Sequence, residues 1–311
     1  MHVIILLSKA IMLKQKLLHV LIIASIPLNA AQASAFSDAL DKAKQTLNAG
    51  QQGMDAATAW NKFKKGDKLA FNVLVRLAKQ GNPAAQNYVG WILDNGANGN
   101  QPDHKMALRF FQAASKLPLA AYNVGIMTFL GRGTDANEQA AIPYFITAAN
   151  DQIEQAQVWL TVYYYKAGKK DDAFRWATEA ARQSDRLGTY YLARMLVEQK
   201  QYKNALENGS KAAELYSADA AILVAYLYEN GQGTGQSKKM ALAYRLIASG
   251  IKNGRIIDPG RFAGLTGISE LDAEQGRGFA SNWMENHKKP TLVDYRVTLA
   301  EKMGYLQSRF D

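Results

Sequence analysis

The sequence of 311 residues contains no cysteine, which excludes a disulfide framework, a thiolate metal site and a cysteine nucleophile. Histidine is nearly as scarce, because only four are present and His2 and His19 lie in an N-terminal targeting-like segment. His104 and His287 are far apart in the chain, too few for a histidine-based zinc site or catalytic triad. No HExxH, Walker-type or GxSxG motif occurs. The sequence therefore predicts a protein that is not an enzyme and has no cofactor and no metal ion.

Two short motifs have a chemical interpretation and a structural one. Gly131-Arg-Gly-Thr-Asp resembles a phosphate-binding loop, but Gly231-Gln-Gly-Thr-Gly recurs at the equivalent place in another repeat, which favours a structural turn. The acidic pair Asp171-Asp172 stands where a helix is expected to begin, and carboxylates there interact favourably with the helix dipole. We therefore interpret both motifs as structural.

The N-terminal 35 residues have the pattern of a secretory signal peptide. Met12-Leu-Lys-Gln-Lys supplies a basic region, an apolar run extends from Leu17 to Leu28, and Ala31-Gln-Ala33 or Ala33-Ser-Ala35 offers a cleavage site. The apolar run is well short of the roughly 20 residues that span a bilayer, although an uncleaved anchor is the alternative. Because residues 1–11 precede the basic region, Met12 is an alternative start. We expect a periplasmic or secreted protein with no transmembrane segment after cleavage.

Small residues recur along the chain in two interleaved series. The first consists of Gly90, Gly125, Thr161, Ala193 and Ala225, at spacings of 35, 36, 32 and 32 residues. The second consists of Ala107, Ala141, Ala173, Ala205 and Ala241, at spacings of 34, 32, 32 and 36 residues. A fixed register over five copies is typical of a helical repeat array, in which small residues allow facing helices to approach closely.

The repeats divide the chain into four regions. Residues 1–35 are the signal peptide, and residues 36–80 hold N-terminal helices and a capping hairpin. Five repeats occupy residues 81–250, in units of about 81–116, 117–150, 151–182, 183–215 and 216–250. Residues 251–311 form a loop and C-terminal helices, of which the segment Leu292 to Ser308 either caps the array or docks elsewhere.

The sequence resembles the Sel-one-like repeat family, a relative of the tetratricopeptide repeat with a longer loop. The resemblance rests on Ala-Gln-x-x-Val-Gly, a Gly-x-Gly loop with a following Asp, and an Ala with a later small pair, and it covers residues 54–250. The third and fourth units have shorter turns, closer to plain tetratricopeptide spacing. The resemblance implies an all-α fold, a right-handed α-solenoid of helical hairpins with a C-terminal helical cap.

The resemblance also implies that the first helix of each pair lines a concave groove. Positions three before, one after and four after each first-series residue then face the groove and form a largely apolar and aromatic stripe. The predicted partner-binding residues on this stripe are Trp91, Tyr122, Ile126, Phe129, Tyr165, Tyr190, Arg194 and Tyr226. Aromatic side chains with an arginine have the composition of a binding hot spot.

These expectations favour a non-enzymatic periplasmic protein that captures a protein partner in its groove. Some secreted proteins that resemble this family are immunity proteins that neutralise antibacterial effectors such as lipases, which is the finer hypothesis. The alternatives are a protein associated with the cell envelope or peptidoglycan, and a host-interaction factor. The net charge of +10 favours an acidic partner or an anionic surface. The lysines are scattered rather than clustered, and a secretory signal leads away from nucleic acid, so we expect no nucleic-acid partner. The oligomeric state stays open.

Overall fold

The structure, a computed structural model, describes residues 54–97, 101–256 and 267–287. These residues form thirteen α-helices and no strand, which confirms the predicted all-α class for the described part of the chain. The helices are α1 (Ala56–Lys64), α2 (Lys68–Lys79), α3 (Pro83–Asn95), α4 (His104–Ala113), α5 (Pro118–Leu130), α6 (Glu138–Asn150), α7 (Glu154–Lys166), α8 (Lys170–Arg182), α9 (Arg186–Glu198), α10 (Tyr202–Glu214), α11 (Ala218–Asn230), α12 (Lys238–Asn253) and α13 (Glu270–Asn286).

The described residues fall into two compact units, divided between residues 89 and 90. In the first unit, α1 and α2 form a short hairpin whose aspartates cap the helix starts: Asp55 accepts a hydrogen bond from the Thr58 amide and Asp67 accepts one from the Leu69 amide. Phe63 is buried in this hairpin, and the ring of Trp60 stacks on Tyr88 at 4.7 Å.

The second unit is a row of helical pairs held together by the two series of small residues. All five alanines of the second series are completely buried, and Thr161, Ala193 and Ala225 of the first series are buried to the same degree. The other two members are glycines with a phenylalanine ring against them: a Cβ added at Gly90 would lie 2.8 Å from the Phe111 ring. The small residues therefore allow close packing between helices, as the register predicts.

Each of the two Gly-x-Gly loops joins the helices of one pair and packs against the pair that precedes it. Gly133 and Gly233 have φ angles of +76°. A Cβ at Gly133 would lie 2.4 Å from the carbonyl oxygen of His104, and one at Gly233 would lie 2.4 Å from that of Tyr202. These carbonyls belong to the first residues of α4 and α10, so each loop packs on the preceding pair. The loops are structural turns, as their recurrence suggests.

The last described helix, α13, covers the end of the row. Gly276 packs against the Lys239 carbonyl and Gly250 against Met284, so α13 runs parallel to α12 instead of continuing the antiparallel alternation. Ala280 and Trp283 are buried in the same cluster as Ala241. The predicted C-terminal helical cap is therefore present, and α13 forms it.

Several sequence predictions lie outside the described residues. They are the signal peptide at 1–35, the helix expected just after it, and the segment from 292 to 308. Within the described part of the chain, no helix has the length and apolarity needed to cross a bilayer.

Candidate functional site

Three neighbouring first helices, α7, α9 and α11, carry the exposed part of the predicted stripe. Tyr165 lies four residues after the small residue of α7, and Tyr190 and Arg194 lie three before and one after that of α9. Ile222 and Tyr226 occupy the same two positions on α11. We call these five residues the tyrosine–arginine patch.

Arg194 is the central charge of the patch and is held by aromatic side chains. Its guanidinium carbon lies 5.0 Å from the centre of the Tyr165 ring, a cation–π contact between neighbouring pairs. Its side chain also hydrogen-bonds Tyr190. Tyr191 packs edge-on against both tyrosines, with ring centres 5.2 Å from Tyr165 and 5.4 Å from Tyr190. The guanidinium is therefore positioned by a tyrosine cluster while the residue stays exposed.

The nearest acid, Glu198, is occupied by other donors. It lies one helical turn from Arg194, a spacing that favours an ion pair. Its Oε1 instead accepts a hydrogen bond of 2.5 Å from the Tyr165 hydroxyl, and its Oε2 pairs with Lys170 Nζ at 2.7 Å. Neither Glu198 nor Lys170 was predicted as a site residue.

Burial and hydrogen bonding shift the pKa values of this cluster. Burial, together with the hydrogen bond to Glu198, raises the pKa of Tyr165 to about 12. Burial also raises the pKa values of Tyr190 and Tyr191. The hydrogen bonds from Lys170 and Tyr165 lower the pKa of Glu198. At neutral pH the tyrosines are therefore hydroxyl donors, Glu198 is a carboxylate, and Arg194 is a cation.

The α11 part of the patch is apolar and open to solvent. Ile222 is 55% exposed and Tyr226 is 47% exposed, although they lie one turn apart on a packed helix. Exposed apolar side chains are common singly, but two on one face beside a tyrosine-held arginine form a combined surface.

Not every predicted partner-binding residue lies on a surface. Tyr122 and Phe129 are only 5% and 8% exposed, because their rings pack edge-on against Phe145 and Trp159 respectively. Ile126 is partly buried against the same cluster. The large Trp159 ring on the next first helix fills this side of α5, so Tyr122 and Phe129 are core residues in this structure.

The remaining predicted residue, Trp91, is partly buried against the cluster of Phe111 and Val124. The stripe positions thus recur on every first helix, but only some of their side chains are exposed to solvent. Tyr165, Tyr190, Arg194 and Tyr226 reach solvent, and those on α3 and α5 mainly pack inward. Trp159 and Trp176 lie outside the stripe positions and are buried.

A second polar cluster joins the first two pairs of the second unit. Asp94 accepts from His104 Nδ1 at 2.8 Å and pairs with Arg132 at 3.1 Å. Because Arg132 belongs to a Gly-x-Gly loop, this cluster has a structural explanation, the attachment of that loop. No group of three or more possible metal-ligating residues occurs in the described ranges.

A third cluster, which spacing did not reveal, contains two acids at helix starts, the buried Glu154 and the half-buried Asp185. Glu154 begins α7 and is 9% exposed. Asp185 caps α9, accepts a hydrogen bond of 2.6 Å from the Gly188 amide and shares one with Glu154. Burial raises the pKa of Asp185, against the lowering effect of its amide donors. This cluster links the start of α7 to the start of α9 in the next pair.

A cleft of about 420 Å³ opens on the side of the second helices, between α8, α9 and α10. Its two basic residues, Arg182 and Lys211, are neutralised by Glu179 and Glu207 at 2.6 and 2.7 Å. Both basic residues of this cleft therefore already have an acidic partner, and Glu214 lines it as well, whereas Arg194 forms no ion pair among the described residues.

Antiparallel helical pairs stacked in a row and capped by a final helix define an α-solenoid repeat protein. Residues 83–117, 118–152, 163–185 and 218–248 match the sequence profile of the Sel1 repeat. The chain is a Sel1-like repeat protein. The pair formed by α9 and α10 falls outside the matched segments, in agreement with its short tetratricopeptide-like turn.

Two solved structures share this fold. A Sel1 repeat protein from Oxalobacter formigenes is 22% identical, with a TM-score of 0.59 over 73% of this chain and 99% of its own. A protective antigen of uropathogenic Escherichia coli strains, which displays an SLR fold, is 19% identical, with a TM-score of 0.56 over 75% of this chain. The present chain covers 51% of that antigen's length. No curated protein sequence matches the chain. Sel1 repeats generally mediate protein–protein interaction and serve as non-enzymatic scaffolds.

Proposed function

We propose that this protein captures a protein partner through the tyrosine–arginine patch. The single observation that carries the proposal is the exposure of Ile222 and Tyr226 next to the helix that presents Arg194. Tyrosine and arginine are enriched in binding hot spots, and tyrosine buries a large area at a small cost in conformational entropy. The repeat scaffold fixes these side chains on three packed helices, so little ordering is required on binding.

The test compares capture by the wild-type protein with capture by a patch variant, Ile222→Ser/Tyr226→Ser. Tagged full-length protein is mixed with an envelope extract of its own source cells, and bound proteins are identified with their stoichiometry. We expect one partner in a fixed ratio, lost from the patch variant. Leu271→Ser is the matched control, because Leu271 is an exposed apolar residue on α13, outside the patch. Equal capture by all three proteins would exclude the patch.

We propose a periplasmic or secreted location for this binding, supported by the basic region, apolar run and small-x-small sites near residues 31–35. Fractionation of cells that express the full chain, followed by N-terminal sequencing, tests this. Mature protein that begins after Ala33 or Ala35 in the periplasm or medium is expected. An intact N-terminus in the cytoplasm would contradict the location.

The finer proposal is that the partner is a secreted antibacterial effector, such as a lipase, and that the protein neutralises it. Its support is the resemblance to secreted repeat proteins with this role, together with the predicted export signal. The test is growth of bacteria that produce the captured partner in the periplasm. Restored growth on co-production of the wild-type protein, but not of Ile222→Ser/Tyr226→Ser, is expected.

A glycan of the cell envelope is the second candidate ligand, favoured by the exposed Tyr226 ring and the net charge of +10. Aromatic rings stack on sugars, and a basic protein attracts anionic polymers. Sedimentation with purified cell wall in moderate salt separates the two functions. Retention that requires Tyr226, without any protein partner, would favour the glycan; a host-interaction role would instead require a partner from host extracts.

A further inference from the structure

We infer that the partner presents an aspartate or glutamate side chain to Arg194, surrounded by apolar residues that cover Ile222 and Tyr226. The inference rests on the proposed function and adds the chemistry of recognition. It comes from the positive charge of Arg194, which forms no ion pair with a described residue.

Arg194 forms no ion pair with any residue that the structure describes. The residues that act on its charge are the tyrosines Tyr190, Tyr165 and Tyr191. Glu198, at ion-pair spacing on the same helix, is neutralised by Lys170. Asp219 at the start of α11 contributes to raising the pKa values of Tyr190 and Tyr191. Arg194 still contributes to lowering the pKa of Glu198, after Lys170 and Tyr165. A partner's carboxylate would therefore meet a cation that forms no direct ion pair with an internal acid.

The geometry of the cluster suits a carboxylate in particular. A guanidinium offers a planar pair of donors that matches the two oxygens of a carboxylate. The stacking on Tyr165 and the hydrogen bond with Tyr190 fix that plane before the partner arrives. Since these contacts already restrict the arginine side chain, binding requires less loss of side-chain entropy than a free arginine would.

The position of Arg194 favours an acidic side chain over a chain terminus. Arg194 lies on the middle helix of three, with Tyr165 on one side and Ile222 and Tyr226 on the other. A C-terminal carboxylate at Arg194 would end the partner there and leave one side of the patch uncovered. An acidic residue within an apolar surface or segment covers both sides.

The test uses random twelve-residue peptides displayed on phage, selected on the immobilised full-length protein. We expect enrichment of sequences with Asp or Glu flanked by apolar residues, and no requirement for a free C-terminus. Synthetic peptides with the acid replaced by its amide should bind at least about tenfold more weakly, the usual range for a lost charge-assisted hydrogen bond. Peptides that bind only with a free C-terminal carboxylate would overturn the choice of an acidic side chain.

Protein variants complete a double-mutant cycle with the selected peptides. Arg194→Gln should lose the same factor as the amide peptide, with no further loss when both changes are combined. Arg182→Gln is the matched control, because Arg182 is an exposed arginine on α8 that is already paired with Glu179. Selection that enriches no acidic residue, or acidic peptides that bind Arg194→Gln as tightly as wild type, would overturn the inference.

The same selection separates this inference from the proposed function. If peptides without acids are enriched and lose binding to Ile222→Ser/Tyr226→Ser, the patch binds a partner and only its acidic chemistry is wrong. If neither Arg194→Gln nor the α11 variant weakens any selected peptide, the patch itself is not the binding surface.

Discussion

Gly125 on α5 lies directly against the ring of Phe145 on α6, and a Cβ at Gly125 would be 3.0 Å from Cε1 of that ring. The same relationship holds between Gly90 and Phe111 in the preceding pair. In the pair formed by α9 and α10 the glycine is on the second helix, and a Cβ added at Gly209 would lie 2.9 Å from Cγ2 of Val224 on α11, in the next pair. A glycine therefore allows close approach of a phenylalanine ring within two of the pairs, and Gly209 allows close approach of the following pair.

We predict that Gly125→Ala destabilises the protein although alanine is the better helix former. The Phe145 ring cannot retreat, because it stacks on Trp159 at 4.0 Å and packs against Tyr122. Overpacking costs about 1–3 kcal/mol, which exceeds the gain in helix propensity of up to about 1 kcal/mol. Urea unfolding measures the difference. The control is Gly278→Ala in α13, where a Cβ meets no atom within 4 Å, so stabilisation is expected there.

The Gly-x-Gly loops give a second prediction. Gly133→Ala should cost more than the roughly 1–2 kcal/mol of a left-handed backbone, because the new Cβ also collides with the His104 carbonyl. Gly168→Ala is the matched control, since Gly168 has a φ angle of +72° but open space around its Cβ position. Thermal unfolding of both variants measures the two costs. Equal losses would show that the loop does not press on α4.

Both predictions concern small residues, and it was the small residues that allowed the helical pairs to be predicted from the sequence. Register in the small residues was sufficient for the helical pairs, because close packing leaves few residue types at such positions. Exposure was harder to predict: Tyr122 and Ile222 share one register position, three residues before the small residue of their helix, yet the first is buried and the second is exposed. The difference depends on the size of Trp159, which lies on the next pair and packs beside α5. Register within one helix carries no information about the size of a residue on the neighbouring pair.

The polar clusters were beyond prediction for a related reason. Spacing along α9 suggests that Arg194 pairs with Glu198, whereas the structure gives that acid to Tyr165 and Lys170 from the neighbouring pair. The contact between Glu154 and Asp185 likewise joins residues from two helix starts. Such contacts depend on the rotation of one pair against the next, for which the sequence has no local signal.

We predict that Tyr122→Glu unfolds or strongly destabilises the protein, while Tyr226→Glu leaves its stability nearly unchanged. A carboxylate at position 122 would be buried in the hydrophobic cluster that contains Phe145, at a cost of several kcal/mol. At position 226 it would stay in water. Circular dichroism with urea titration distinguishes them. Equal stability of both variants would show that Tyr122 is accessible after all.

The hydrogen bond between Tyr165 and Glu198 predicts a pH-dependent stability. Because the folded state lowers the pKa of Glu198 below its usual 4.5, its contribution is present above that value and is lost as pH falls through the folded pKa. Tyr165→Phe removes one donor and should cost about 0.5–1 kcal/mol at neutral pH, the scale of a partly exposed contact. At about pH 3 the difference from wild type should shrink. Urea unfolding at the two pH values measures this, and a pH-independent difference would contradict the linkage.

For Asp185 we predict a pH dependence of stability with the opposite sign. Burial raises its pKa above the ordinary 3.8, so the folded state holds the proton more tightly than the unfolded chain does. Its contribution is therefore greatest at low pH and decreases as pH rises through the folded pKa, where a buried carboxyl must ionise beside Glu154. Asp185→Asn keeps an oxygen for the Gly188 amide and removes this ionisation, so it should gain stability relative to wild type as pH increases from about 4 to 7.

Asp55→Asn is the matched control for that experiment. Asp55 is also a helix-capping aspartate, but it is exposed and the Thr58 amide lowers its pKa. Its stabilising contribution is therefore already complete above the ordinary pKa of 3.8 and is lost only at lower pH, so the difference between Asp55→Asn and wild type should stay nearly constant over the same interval. Urea midpoints for both variants across that interval decide the matter. Parallel curves for Asp185→Asn and Asp55→Asn would mean that burial does not determine the ionisation of Asp185, since two capping aspartates in different surroundings would then behave alike.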